Sequence, residues 1–185
     1  MQFRQLNTKD ARLIYPEPHK DSRGLFSRVF CCREFGELGL SKNIVQVNHS
    51  LTRKAFAIRG MHYQDYPKAE IKMVKCIKGA VFDVIVDIRK NSPSFLEWAS
   101  AILTAENMAM MFVPEGFAHG FQTLEPDTEL LYFHTEFYSP EYENGIRFDD
   151  PAVGINWPEL PSEMSEKDRD YPLLTNDFPG LENEV

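Results

Sequence analysis

Long apolar runs are missing from this sequence. The longest uninterrupted one is about the length of Met108–Val113, far short of the roughly 20 residues that a bilayer-spanning helix needs. The opening residues, MQFRQLNTKDARLIYPEP, contain no apolar signal-peptide core, so the expectation is a cytoplasmic protein with no membrane partner. Cysteine is scarce as well. Cys31, Cys32 and Cys76 form an odd set without C-x-x-C spacing, which excludes a disulfide framework and a zinc cage. The adjacent Cys31 and Cys32 read most simply as small buried or half-buried residues. Positive charge is in the minority, with 20 Lys+Arg against 28 Asp+Glu and a net charge of −8. A broad nucleic-acid surface is thereby excluded, although two or three local arginines would still suffice for a phosphate. No internal repeat or low-complexity tract is present.

What is there fits one folded unit over residues 1–185, with 43% hydrophobic and 26% charged residues in the ordinary globular range. Short segments rich in Val, Ile, Phe and Tyr recur: QVNHSLT (46–52), IKMVKCI (71–77), AVFDVIVDIR (80–89), MAMMFVP (108–114) and ELLYFHTEFY (129–138). Gly79, Pro93, Gly116 and Pro126 punctuate them. Many short strands joined by turns make the fold class all-β, as a sandwich, barrel or jelly roll. Helical periods are sustained only in CREFGELG (32–39) and SEKDRD (165–170), and in the second Ser165 and Asp168 have capping-box-like spacing. The acidic, turn-rich residues after about 170 are expected to wrap the surface or fray as a loosely packed tail.

Chemistry-bearing residues cluster in three places. In FVPEGFAHGF (112–121) a type I turn with Pro114 second and Gly116 fourth would give His119 a fixed direction. Packing, metal binding and acid–base work all stay open for it. In IRGMHYQDYPKAEIKMVKCIKG (58–79), strand alternation puts Glu70, Lys72 and Val74 on one face. Lys72 then points toward the interior of His62, or else joins Lys75 and Lys78 on a solvated side. In ELLYFHTEFY, alternation puts Leu130, Tyr132, His134, Glu136 and Tyr138 on one face, with Phe133 and Phe137 as sheet-packing residues on the other.

Taken together, RGMHYQ (59–64), Lys72 with CIKG (76–79), FDVIVDIR (82–89), VPEGFAHGF (113–121), Tyr132, YSP (138–140) and DPAVGINWP (150–158) closely resemble the dTDP-4-dehydrorhamnose 3,5-epimerase family, in order, from about Asp21 to Asp168. The resemblance implies a cupin-type antiparallel jelly roll with a few short helices, working as a homodimer without a cofactor or metal. Its ligand would be a nucleotide-diphosphate sugar bearing a 4-keto-6-deoxyhexose. The carbons flanking that ketone, C3 and C5, lose protons readily once the enolate oxygen is stabilised. By the same resemblance His62 is the base, held by Asp168. Lys72 is the cation at the enolate oxygen, and Tyr132 is the acid on the opposite face. Arg59 and Arg23 match diphosphate-holding positions, Gln46 and Asn48 match the sugar pocket, and Phe26 and Tyr138 match aromatics around the base. The segment with Phe26 would come from the partner subunit, and His119 would line and support the site.

Two positions depart from the family pattern. Arg28 stands where a glutamate is common, close to the nucleotide base, which keeps CDP- and GDP-linked 4-keto sugars as alternatives to dTDP. Glu70 stands where a glutamine is common, so His62, Glu70 and His119 could form a facial triad for Fe(II), although Gln64 replaces the second histidine of the metal-cupin pattern. A metal-dependent cupin oxygenase or isomerase and a noncatalytic sugar-binding cupin are therefore the readings of other classes.

Overall fold

The computed structural model describes residues 1–37, 39–40, 42–175 and 177–182. The early strands are β1 (Gln2–Gln5), β2 (Arg12–Tyr15), β3 (His19–Asp21) and β4 (Gly24–Phe26), followed by helix α1 (Cys32–Gly36). Next come β5 (Gln46–Thr52), β6 (Ile58–Gln64), β7 (Lys72–Lys78), β8 (Ala80–Asp87) and β9 (Trp98–Thr104). The last elements are β10 (Met110–Val113), β11 (Phe117–Thr123), β12 (Thr128–His134), β13 (Glu143–Gly145) and helix α2 (Glu166–Asp170).

A six-stranded sheet has the order β1-β2-β10-β7-β12-β5, and a five-stranded sheet has the order β13-β6-β11-β8-β9. All pairings between these strands are antiparallel. From β5 onward the chain crosses between sheets at nearly every step, the winding of a jelly roll. Val74 and Leu130 from the first sheet meet Val81, Ile85, Phe117 and Phe121 from the second in the core between them. Each large side chain so buried stabilises the fold by roughly 1.5–3 kcal/mol.

Outer layers cover both sheets. The segment around α1 covers the six-stranded sheet through Phe35, which is fully buried against Phe3 and Phe30 with ring centroids 6.2 and 5.0 Å away. The C-terminal segment covers the other sheet with Trp157, Leu174, Phe178 and Leu181. It wraps rather than frays: Leu181 and Ile88 pair backbone to backbone at 2.7 Å, and Phe178 stacks on Phe95. The expectation of a loose tail overlooked the apolar residues spaced through that acidic stretch. Part of the tail and one residue of the 32–39 helix expectation lie outside the described residues.

Other local expectations also change. Phe137 is 58% exposed because β12 ends at His134 and the alternation stops there. Cys32 is exposed, and Lys75 is buried with its ammonium donating to the Met108 carbonyl at 2.7 Å. The turn falls at Glu115 and Gly116, one residue later than the type I turn expected with Pro114 second and Gly116 fourth, and Gly116 has φ +76°. Among the described residues no helix is long and apolar enough to cross a membrane.

Candidate active site

A cleft of about 650 Å³ opens between the sheets. The five-stranded sheet lines it with Arg59 and His62 from β6 and His119 from β11. The six-stranded sheet faces them with Gln46, Asn48 and Ser50 from β5, Lys72 from β7, and Tyr132 and His134 from β12. Lys167 and Asp168 reach it from α2.

Local sequence explains how His62 is held. β6 and β11 pair in register at His62 and His119, and their backbones approach so closely beside that pair that only glycine fits. A Cβ added at Gly60, where φ is +123°, would lie 2.5 Å from the Gly120 Cα. On the other side of His62, Ser165 caps α2 by accepting from the Asp168 backbone N–H at 3.1 Å. That single helical turn buries Asp168 while its neighbours Glu166 and Lys167 remain exposed. Asp168 Oδ1 then meets His62 Nε2 at 2.7 Å, and its Oδ2 accepts from the Gly60 N–H at 3.2 Å. Burial pushes the Asp168 carboxyl up, but the His62 hydrogen bond and charge, with the Gly60 and Ser165 bonds, outweigh it and hold the carboxyl below its ordinary value.

The opposite wall is polar and mostly buried. Tyr132 shares a hydrogen bond of 3.1 Å with Ser50, and burial raises its phenol strongly, keeping it protonated. The Lys72 ammonium lies 3.2 Å from Glu70, whose second oxygen contacts His134 Nδ1 at 2.6 Å. Burial pushes the Glu70 carboxyl up, and the Lys72 charge together with His134 brings it net below its ordinary value. Behind the cleft, His119 Nε2 meets the fully buried Asp83 at 2.9 Å, and burial raises that carboxyl despite the imidazole. An imidazole backed by a buried carboxylate can take a proton, a buried phenol can give one, and an ammonium can hold an oxyanion.

A family profile described as dTDP-4-dehydrorhamnose 3,5-epimerase matches residues 5–176. The chain belongs to the dTDP-4-dehydrorhamnose 3,5-epimerase family. It is an isomerase with the family's cupin-type jelly roll. Among its relatives, the dTDP-4-dehydrorhamnose 3,5-epimerase of Sinorhizobium fredii is 45% identical over 175 residues, which cover 94% of this chain and 90% of that one. The Bacillus anthracis dTDP-4-dehydrorhamnose 3,5-epimerase, solved with TDP and PPi bound, superposes with a TM-score of 0.90 at 40% identity, covering 94% of this chain and 99% of that one. The Legionella pneumophila dTDP-6-deoxy-D-glucose-3,5-epimerase, solved with dTDP-4-keto-L-rhamnose, does so at 0.90 and 34% identity, covering 97% of each chain.

Of the residues singled out in the sequence, His62, Lys72, Tyr132, Asp168, Gln46, Asn48, Arg59, His119 and Tyr138 all line this one cleft of the family fold. Tyr138 stands at its mouth, 55% exposed, with its hydroxyl donating to Glu143 at 2.7 Å. Arg23, Phe26 and Arg28 are not among the lining residues. Arg23 pairs with Asp21 at 2.6 Å on the β3–β4 hairpin, whose strands are entirely exposed, Phe26 is 75% exposed, and Arg28 pairs with Glu34 at 2.7 Å. The iron-triad alternative is not supported, because His62, Glu70 and His119 turn to three separate partners, Asp168, the Lys72–His134 pair and Asp83. Among the described residues no group of three His, Cys, Asp or Glu side chains could hold a metal ion. Asp83 was missed at the sequence level, though an aspartate inside the apolar run AVFDVIVD was its signal.

Proposed function

We propose that this chain converts dTDP-4-dehydro-6-deoxy-D-glucose to dTDP-4-dehydro-L-rhamnose by cofactor-independent proton transfer at C5 and C3. The observation that carries this reading is the placement of the His62–Asp168 pair on one wall of the cleft and of Tyr132 and Lys72 on the other. His62 uses Nε2 to bind Asp168, so Nδ1 is the nitrogen that removes the carbon-bound proton. The electron pair moves onto the ketone oxygen, where the Lys72 ammonium meets the negative charge. Tyr132 then returns a proton to the same carbon from the opposite face, which inverts it. Losing a preorganised oxyanion partner such as Lys72 typically slows turnover by roughly a hundredfold or more.

Arg59 is the diphosphate contact from within the cleft, and the three residues outside it have a place in the same scheme. A homodimer in which the β3–β4 hairpin lies over the partner's cleft would bring Arg23, Phe26 and Arg28 to the nucleotide. The exposure of Leu25 and Phe26, at 55% and 75%, supports that arrangement. The free thiols of Cys31, Cys32 and Cys76 agree with a cytoplasmic enzyme.

Deuterium reports each carbon attacked, because a His62 imidazolium exchanges with water. In deuterated water, dTDP-, CDP- and GDP-linked 4-keto-6-deoxy sugars are compared by product mass and stereochemistry. The expected result is two deuterons in the dTDP sugar. A single deuteron would reduce the activity to one centre, preference for CDP or GDP would replace the nucleotide, and no exchange despite tight binding would leave a sugar-binding protein.

A further inference from the structure

Two nearly buried titratable side chains on the cleft wall have no part in these proton transfers. Glu70, just before β7, and His134, at the end of β12, have side chains only 10% exposed, and the Lys72 side chain beside them is 11% exposed. Glu70 contacts Lys72 Nζ at 3.2 Å through Oε1 and His134 Nδ1 at 2.6 Å through Oε2. The other ring nitrogen, His134 Nε2, is 3.3 Å from Asn48 Nδ2. Asn48 Oδ1 in turn accepts from Gln46 Nε2 at 3.2 Å, and Gln46 Oε1 accepts from the Tyr138 backbone N–H at 3.2 Å.

The direction of every link follows from the first. A backbone N–H can only donate, so Gln46 turns its oxygen to Tyr138 and its NH₂ to Asn48. Asn48 must then present its own NH₂ to His134, whose Nε2 is the lone-pair nitrogen. The ring proton is therefore on Nδ1, directed at Glu70. The His134 ring also stacks on Tyr132, with centroids 6.1 Å apart and planes 20° apart. Both nitrogens are engaged, so His134 has none left to exchange a proton with substrate.

We infer that Glu70 and His134 are positioning residues, the last links of a one-way hydrogen-bond chain that starts at the Tyr138 amide in the cleft mouth and holds the Lys72 ammonium deep inside it. The inference rests on the reading of Lys72 as the enolate-oxygen cation. Glu70 restrains Lys72, and neutral His134 takes up the second carboxylate oxygen, so that Glu70 has one orientation. Anything that displaces the Tyr138 segment at the mouth loosens the cation that meets the enolate.

Two measurements on the full chain test this. Ring-nitrogen NMR at neutral pH should find His134 neutral with its proton on Nδ1, and Asn48→Asp, which offers Nε2 an anionic acceptor, should convert it to the doubly protonated form. An Nε2–H tautomer or an imidazolium in the unaltered chain would overturn the chain's direction. In kinetics with dTDP-4-dehydro-6-deoxy-D-glucose, Glu70→Gln and His134→Phe should each lower kcat by about tenfold with KM within about threefold, because a cation aimed at the enolate acts mainly in the transition state. Unchanged kcat in both variants would overturn the positioning role, and a rise would make Glu70 a brake on Lys72. Failure of the epimerase reading would appear instead as inactivity of the unaltered chain, and the tautomer measurement decides the chain's direction independently of that.

Discussion

In the proposed reaction Asp168 is the residue on which the base depends, and it acts twice, through His62 and through stability. His62→Ala should remain folded, since the imidazole is 32% exposed on the cleft wall, and should lose roughly two to four orders of magnitude in turnover, read by steady-state kinetics with circular dichroism as the folding control. Asp168→Asn should lower turnover less, because an amide still accepts a hydrogen bond but cannot stabilise an imidazolium. The acid dependence has a definite sign. The folded Asp168 carboxyl lies below its ordinary value, so its stabilisation is complete above about 3.9, the unfolded value, and is lost as pH falls through the folded value. Denaturant unfolding of the two proteins should therefore differ at neutral pH and converge on acidification. At this scale the site was legible through the family resemblance: alternation alone left Lys72 open to an inward or a solvated face and left the Tyr132 face unassigned, and the local signal at Asp168 was its capping distance from Ser165. Glu70 was legible only as a possible metal ligand, because its partner His134 lies 64 positions away and no local pattern joins them.

The close approach of the paired strands β6 and β11 turns one residue type into a requirement. Gly60→Ala combines a positive φ with a carbon 2.5 Å from the Gly120 Cα, whereas Gly154→Ala, at φ +64°, meets nothing within 4 Å. The first should cost more than the about 1–3 kcal/mol of a strained backbone alone, the second should stay within it, and only the first should also depress turnover, because Gly60 holds Asp168. Thermal unfolding and kinetics on the pair check this. The elements that sequence reading located, β5, β7, β8, β10, β12 and both helices, carry alternation, flanking turn residues or a cap. β11 is buried along its whole length, so its pattern lacks the period of two that marks a half-buried strand, and the three-residue strands β3, β4 and β13 are too short to show one.

The order of strands across the two sheets was not legible, because each pairing joins segments distant in sequence and many orders satisfy the same alternation. The dimer proposed from the exposed β3–β4 hairpin makes a prediction at this scale. On that proposal His62→Ala would have an intact hairpin and a dead cleft, while Arg23→Ala/Phe26→Ala would have a live cleft and a damaged hairpin. Unfolding and refolding the two together should form mixed dimers in which one cleft is whole, so activity should exceed that of either variant refolded alone. Additive activity, or a monomer by light scattering, would remove the hairpin from the partner's site. The two-walled cleft has one more consequence. His62 and Tyr132 stand on different sheets, joined through the core of Val74, Leu130, Ile85 and Phe121. In the proposed reaction the handedness of the product is thus set by the spacing of a sandwich: an enzyme with a slackened core would still remove protons, yet return them to the face they left, so isotope would accumulate in sugar of unchanged configuration.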